Sequence, residues 1–141
     1  MDKHLLNFVF VKRIAAALFL SLALCAAQAS AQTVLNGRAS FDKTVHDFGR
    51  ISVSDGPVSC TFSVTNVSAA DMCIYAVITT CGCTDVKWTR QSIPPGGKGT
   101  IDVTFKNDEG PYPFDKTVKV YISDEKKPLT LHLRGEVVKK K

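Results

Sequence analysis

Apolar and polar residues alternate along short runs of this chain, and turn-forming residues separate the runs. Between Val58 and Val64 every second residue is apolar, and serines and threonines occupy the positions between. A period of two is typical of a β-strand that faces a core on one side. The same alternation recurs at residues 101–105, 118–122 and 129–133. These four segments are predicted strands.

Three further strands are predicted from weaker patterns. Residues 38–45 are expected to form a first edge strand, which the His46-Asp47-Phe48-Gly49 run then ends in a bend, because glycine allows backbone angles that other residues resist. Residues 72–80 are richer in apolar side chains, which favours a central position in a sheet. A short strand is expected at 84–88.

About seven strands at this spacing are typical of a β-sandwich. Clusters of glycine, proline, asparagine and aspartate mark the turns at 55–57, 66–71, 93–97, 107–113 and 124–128. Short strands rich in serine, threonine and valine bury little surface in one open sheet, so two packed sheets are expected. The sequence therefore predicts an all-β, immunoglobulin-like sandwich.

The N-terminus has the composition of a cleaved secretory signal. Basic residues precede an apolar run at residues 14–27, and Ala29-Ser30-Ala31 then gives a small-x-small cleavage site before Gln32. The run is shorter than the roughly 20 residues that cross a bilayer. Cys25 raises the alternative of a lipoprotein signal, but Leu24 stands where a small residue is usual. We expect an exported protein, periplasmic or secreted, without a stable membrane anchor.

The predicted organisation is a signal peptide at 1–31, an N-terminal segment at 32–40, the sandwich at 41–138 and a basic tail at 139–141. The three lysines of the tail account for all of the net positive charge that remains without the leader. There is no basic stripe with interleaved aromatic residues, so nucleic acid is not an expected partner.

Four cysteines follow the leader, and an even number in an oxidising compartment favours disulfides. If residues 66–71 form a hairpin turn, Val64 lies opposite Cys73. The sulfurs of Cys60 and Cys73 would then stand roughly 13 Å apart along the strands, which disfavours a bridge between them. Cys60 is expected to fill the core as a free thiol. Cys73 either turns inward or becomes an exposed thiol.

Cys81-Gly82-Cys83 leaves three alternatives open, since the two thiols are separated by one residue. A disulfide here closes a small, strained ring that should be comparatively easy to reduce, which allows either a structural clamp or redox chemistry. Two thiolates also suit a soft ion such as Cu(I), although only His46 and His132 remain as nitrogen ligands and no CxxC is present. We expect no physiological metal and no cofactor.

No arrangement of residues predicts an enzyme. His46 and Asp47 are adjacent, and adjacent side chains in an extended segment point to opposite faces, so they indicate a turn motif and not a proton relay. Glycine-rich phosphate loops and calcium loops are absent from the sequence.

An ordered set of residues nevertheless resembles a known family. The set comprises His46-Asp47-Phe48-Gly49, Ile51, Phe62, Asn66, Cys81-Gly82-Cys83-Thr84, Trp88, Ile93, Pro95-Gly96 and Gly135. Over residues 41–138 it is similar to the bacterial domain-of-unknown-function family 1573. The resemblance implies an exported immunoglobulin-like sandwich, like domains of sperm and ciliary proteins and of pilus chaperones, with no established activity. The motif includes Cys81 and Cys83 but neither Cys60 nor Cys73.

The sequence thus predicts a non-enzymatic exported module that binds an envelope protein or has a structural role. The alternative is redox or copper handling through Cys81 and Cys83.

Overall fold

The computed structural model describes residues 33–35 and 37–139. The predicted signal peptide lies outside these residues. The described chain forms nine strands: β1 Thr33–Leu35, β2 Ala39–Phe41, β3 Val45–Ser52, β4 Val58–Asn66, β5 Ile74–Thr79, β6 Thr84–Trp88, β7 Lys98–Phe105, β8 Tyr112–Ile122 and β9 Leu129–Val138. One turn of 3-10 helix, Val53–Asp55, follows β3. No helix in this part of the chain has the length and apolar character needed to cross a membrane.

The strands form two sheets packed as a sandwich. One sheet has the order β1-β2-β4-β7-β6, and the other has the order β3-β9-β8-β5. Neighbouring strands are antiparallel except β3 and β9, which are parallel. The predicted all-β sandwich is therefore confirmed. It has two strands more than the seven predicted, β1 and β3.

The alternation of side chains along the strands builds the core between the sheets. Phe62 on β4 pairs with Ile101 on β7, and both side chains are fully buried on the inner face. On the outer face of the same strands, the Thr61 hydroxyl donates a hydrogen bond of 2.7 Å to the carboxylate of Asp102. Buried and more exposed residues thus alternate along β4 with the predicted period of two.

Of the predicted first strand only Ala39–Phe41 forms, as β2, which is not an edge strand, and the predicted bend is wrong. The chain leaves the five-stranded sheet after β2 and enters the other sheet as β3, where His46-Asp47-Phe48-Gly49 is part of the strand. Asp42 holds this crossing, because its carboxylate accepts hydrogen bonds from the backbone N–H groups of Lys43 and Ser63 at 2.9 and 2.8 Å. A residue that makes such a long-range contact cannot be recognised from local pattern.

The predicted hairpin between β4 and β5 is also wrong. The chain crosses between the sheets after β4, and Met72 makes an isolated bridge with Ile93. Val64 therefore lies opposite Gly99 and not opposite Cys73. β5 is an edge strand that pairs with β8, and not the central strand predicted from its apolar content. Two of its apolar side chains, Tyr75 and Ile78, are exposed to solvent.

Candidate functional site

The CGC loop, Cys81-Gly82-Cys83, connects β5 in one sheet with β6 in the other. A disulfide joins Cys81 and Cys83, whose Cα atoms are 5.1 Å apart. The Thr84 N–H donates to the Cys81 carbonyl at 3.2 Å. The Thr79 hydroxyl lies 3.3 Å and 3.4 Å from the carbonyl oxygens of Cys81 and Thr84. The loop is therefore a tight turn whose backbone is tied to the ends of both flanking strands.

The two sulfurs of the disulfide have different surroundings. The backbone N–H of Cys83 donates to Sγ of Cys81 at 3.1 Å. Sγ of Cys83 lies 3.7 Å from the Thr84 hydroxyl, and its side chain packs against the core. A hydrogen-bond donor stabilises a thiolate more than a thiol. Both sulfurs have a potential donor nearby, the Cys83 N–H for Cys81 and the Thr84 hydroxyl for Cys83.

A depression of about 650 Å³ opens beside the CGC loop. The remaining residues that line it are Lys106, Asp108, Glu109, Tyr112 and Lys116. The backbone N–H of Lys106 donates to the Cys83 carbonyl at 2.8 Å, so the loop after β7 is fixed to the CGC loop. Burial, and then the carboxylates of Glu109 and Asp108, raise the pKa of Tyr112, so its phenol stays protonated and able to donate a hydrogen bond.

A smaller depression of about 210 Å³ shares Lys106 and Asp108 with the larger one. Asn107 lines it and is 2% exposed. Its side-chain amide donates a 2.7 Å hydrogen bond to the Ser52 carbonyl, but its Oδ1 has no hydrogen-bond partner within the described residues. This oxygen is itself buried from solvent, and a buried acceptor without a donor is destabilising by roughly 1–3 kcal/mol.

The other two cysteines in the part of the chain that the structure describes are free thiols away from this region. Cys60 is 8% exposed, as its core-filling interpretation requires, and burial raises the pKa of its thiol to about 11. Cys73 is half-buried, because its neighbours Met72 and Ile74 occupy the core side of the chain. Neither thiol lines the depressions beside the CGC loop.

The two histidines of the described residues lie in separate contacts. Nδ1 of His46 is 3.3 Å from the Lys43 ammonium, and Nδ1 of His132 is 2.7 Å from the Asp115 carboxylate. Between residues 37 and 139 and in β1, no three His, Cys, Asp or Glu side chains gather as metal ligands would. His46 and Asp47 do not form a dyad, because the Asp47 carboxylate accepts the N–H of Gly49 at 2.7 Å.

The His46-Asp47-Phe48-Gly49 run forms a bulge in β3, and not the bend predicted. The pairing with β9 shifts register between Asp47 and Arg50. Gly49 has φ +65°, and its carbonyl approaches Gly135 on β9 so closely that a Cβ there would lie 2.8 Å away. This run and the glycine near the C-terminus therefore act together to shape one edge of the fold.

The remaining motif residues organise the loop before β7. Gly97 N–H donates to the Pro94 carbonyl at 2.8 Å, and Gly96 has φ +74°, the geometry of a type II turn with Pro95 at its second position. The buried amide of Asn66 donates to the carbonyl oxygens of Ala70 and Ile93, both at 2.8 Å. These residues hold loops together, so their place in the motif has a structural explanation.

A comparison with known families tests the family resemblance that this motif suggests. The family described as "Protein of unknown function (DUF1573)" matches residues 39–137. The chain belongs to the DUF1573 family. The resemblance stated from the sequence is confirmed, and the match spans the strands from β2 to β9. Among curated proteins, none matches this DUF1573 chain.

Solved structures show the same sandwich at low sequence identity. A protein of unknown function from Porphyromonas gingivalis W83 is 20% identical, with a TM-score of 0.61 over 80% of this chain and 51% of its own. The ASH/PapD-like domain 7 of human CEP192 is 10% identical, with a TM-score of 0.59 over 74% of this chain and 88% of its own. The VesB protease of Vibrio cholerae is 17% identical, with a TM-score of 0.56 over 72% of this chain and 32% of its own.

These similarities describe the fold of the DUF1573 domain and nothing more, because fold does not determine function. The chain spans about half of the Porphyromonas protein and about a third of the protease.

Sequence reasoning identified the CGC loop but not the residues around it. The residues around the loop lie more than 20 positions after Cys83 in the sequence: Lys106, Asn107, Tyr112 and Lys116. The sequence pattern predicts that Asn107 lies in a turn. Only the backbone hydrogen bond from Lys106 to Cys83 brings these residues to the CGC loop.

Proposed function

We propose that this DUF1573 domain is an exported, non-enzymatic module of the bacterial cell envelope that binds a protein partner along strand β5. The observation that carries the proposal is the exposure of two large apolar side chains on that edge strand, 59% for Tyr75 and 51% for Ile78. The signal-like N-terminal sequence supports export.

The edge of β5 has the properties of a strand-addition site. β5 pairs with β8 on one side, and its sequence, Ile-Tyr-Ala-Val-Ile-Thr, has neither a charge nor a proline. Charges, prolines and bulges are the usual protection of an exposed edge against pairing with another chain, and β5 has only a register shift near its start, between Ile74 and Ala76. A partner strand could therefore add to β5 through backbone hydrogen bonds.

The side chains around β5 indicate the chemistry of that partner. Tyr75 lies 5.9 Å from Tyr121, ring centre to ring centre, and Ile78 lies opposite Lys119. An extended segment with alternating apolar residues fits the exposed Tyr75 and Ile78, and an acidic residue beside them would pair with Lys119. We expect a protein partner of this kind, and no nucleic acid.

Site-specific crosslinking in the source bacterium tests the proposal. A photoreactive phenylalanine analogue replaces Tyr75, and the same analogue at Lys87, on the outer face of the opposite sheet, is the control. We expect a defined crosslinked protein from position 75 that is lost when Ile78 is changed to Lys and kept with Val67→Lys. Equal crosslinking from positions 75 and 87 would contradict the proposal.

A second candidate function rests on a separate observation, the disulfide of the CGC loop, whose two half-buried cysteines line a depression. It favours redox chemistry over metal binding, because Cys81 and Cys83 must be reduced before their thiolates can bind a soft ion. Reduction of the purified full chain by 2-mercaptoethanol, followed by mass analysis of alkylated peptides, tests whether this disulfide exchanges at all. If the disulfide stays intact while the chain is folded, the CGC loop is a structural clamp and not a redox site.

A further inference from the structure

A lysine occupies a core-facing position on β8. Phe114 and Val118 are buried on the inner face of this strand, and Lys116, midway between them, is on the same face by the period of two. Lys116 is half-buried there, and among the described residues its ammonium makes no ion pair with a carboxylate. Lysine is rarely removed from solvent without a partner, so this charge requires an explanation.

Lys116 lines the depression of about 650 Å³ beside the CGC loop, which we call the CGC depression. Its ammonium lies 5.8 Å from the ring centre of Tyr112, which lines the same depression and keeps its phenol protonated. Lys106 lines it too, but its ammonium pairs with Asp85 at 2.9 Å. The CGC depression therefore holds a cation without a counterion and an O–H donor next to the disulfide.

We propose that the CGC depression binds small thiols that carry one carboxylate, and that Lys116 attracts this carboxylate while the thiol reduces the Cys81–Cys83 disulfide. The proposal rests on the second candidate function above and names its substrate class.

A carboxylate matches the two donors on β8. Its two oxygens accept a charge-assisted hydrogen bond from an ammonium and a further hydrogen bond from a phenol O–H, and Lys116 and Tyr112 supply these groups from one strand. Salt screens a partly buried charge less than an exposed one, so the half-buried ammonium attracts an anion more strongly than a lysine on the open surface does.

The acidic residues of the CGC depression limit the charge that it accepts. Asp108 and Glu109 are exposed on the loop between β7 and β8, and their charges contribute to the raised pKa of Tyr112. Their field therefore reaches the position where the carboxylate would bind. Repulsion grows with each added negative charge, so a thiol with one carboxylate is favoured over a thiol with several.

The dimensions of the site favour a small molecule over a protein thiol. Sites for small molecules typically have volumes of roughly 300–1,000 Å³, and the CGC depression lies within this range. Cys81 and Cys83 are both half-buried, so a compact thiol reaches their sulfurs more readily than a cysteine on a folded protein does.

The exchange takes two molecules of the thiol. The first attacks one sulfur of the disulfide as a thiolate, the sulfur–sulfur bond breaks, and the released cysteine takes up the proton that the attacking thiol lost. The second molecule attacks the ligand's own sulfur in the mixed disulfide, and the other cysteine leaves and takes up the second proton. Two small thiols become one small disulfide, and two electrons and two protons pass to the CGC loop.

A pair of thiols that differ in charge tests the proposal. N-acetylcysteine carries one carboxylate and 2-mercaptoethanol carries none. Each reduces the purified oxidised chain, and alkylation followed by mass analysis gives the rate, compared per thiolate because the thiolate is the attacking form. At low salt we expect N-acetylcysteine to react about fivefold faster, the ratio that an ion pair of about 1 kcal/mol gives.

Two lysine variants locate the source of this preference. Lys116→Gln should bring the ratio of the two rates to about one and leave the rate with 2-mercaptoethanol unchanged. Lys98→Gln makes the same change of charge at an exposed lysine at the other end of β7, and it should keep the ratio. If Lys116→Gln loses its near-ultraviolet circular dichroism, Lys116→Met, which keeps an apolar side chain of similar length, replaces it.

The outcomes separate this inference from the function on which it rests. If 2-mercaptoethanol does not reduce the folded chain, the redox function fails and the inference fails with it. If both thiols reduce the chain at equal rates, or if Lys116→Gln keeps the preference, the redox function stands and the carboxylate site is overturned. Loss of the preference in both Lys116→Gln and Lys98→Gln would show only an effect of net charge and would also overturn the site.

Discussion

The indole N–H of Trp88 donates a 3.0 Å hydrogen bond to the carbonyl oxygen of Ile74. Trp88 ends β6, at the edge of one sheet, and Ile74 begins β5, at the edge of the other. The guanidinium of Arg90 lies 3.8 Å above the indole ring. One tryptophan therefore joins the two edges on this side of the sandwich and occupies an acceptor at the start of β5.

Trp88→Phe is expected to lower the free energy of unfolding by about 1 kcal/mol, since phenylalanine keeps an aromatic ring but cannot donate to Ile74. Urea unfolding followed by far-ultraviolet circular dichroism measures the change. Lys87→Gln is the control, because the neighbouring Lys87 is exposed and surface substitutions usually change stability by less than about 0.5 kcal/mol. Equal urea midpoints for the two variants would show that the bond to Ile74 contributes nothing.

Two motif glycines are expected to respond differently to alanine. A Cβ on Gly135 would lie 2.8 Å from the Gly49 carbonyl and 2.8 Å from the Phe114 ring, whereas a Cβ on Gly82 meets nothing within 4 Å. Overpacking typically costs about 1–3 kcal/mol, so Gly135→Ala should destabilise the fold by about that amount. Gly82→Ala should unfold at nearly the same urea concentration as the unaltered chain. The reverse order would contradict the role assigned to the β3 bulge.

The sandwich was predictable because burial repeats along single strands. In β4, Phe62 and Val64 are buried and Thr61 is exposed, and this local pattern needs no knowledge of the rest of the chain. Which sheet a strand joins was not predictable. Asp42 fixes one crossing through Ser63, about twenty positions away, and no local pattern encodes that contact.

The candidate site was predictable only where its chemistry is adjacent in sequence. Cys81 and Cys83 are recognisable from their spacing, but the depression beside them depends on the hydrogen bond between Lys106 and Cys83. The Asn107 amide group donates to the Ser52 carbonyl, 55 positions away, and its Oδ1 has no partner among the described residues. Asparagine is also a common turn residue, so its sequence context suggested a turn.

The stability of the domain should depend on pH through Asp115. Hydrogen bonds from His132 and then from Arg134, at 2.7 and 2.8 Å, lower the pKa of its carboxyl group below the ordinary value of 3.8. A carboxyl group with a lowered pKa in the folded state stabilises the fold above its unfolded pKa, and the effect disappears as the pH falls through the folded pKa.

Asp115→Asn removes this contribution. We expect the difference in urea midpoint between the unaltered chain and Asp115→Asn to shrink as the pH falls below about 4. Nuclear magnetic resonance titration of the Asp115 carboxyl carbon provides a direct measurement. A titration midpoint at or above the ordinary value would contradict the interaction with His132 and Arg134.

The four cysteines of the described chain should react with a maleimide in three distinct ways. Burial raises the pKa of Cys60 from 9.0 to about 11, which lowers its thiolate fraction near neutral pH about a hundredfold, and its 8% exposure further limits access. Native labelling without reductant should therefore modify the half-buried Cys73 first. Cys60 should react at a comparable rate only after denaturation. Cys81 and Cys83 should react only after reduction, because they form the disulfide.

Peptide mass mapping at timed intervals distinguishes these classes, and single substitutions assign them. Cys73→Ser should abolish the fast native phase, whereas Cys60→Ala should leave that phase unchanged. Fast labelling of Cys60 in the folded chain would show that its side of the core opens readily. Labelling of Cys81 or Cys83 without reductant would show that the disulfide is not closed.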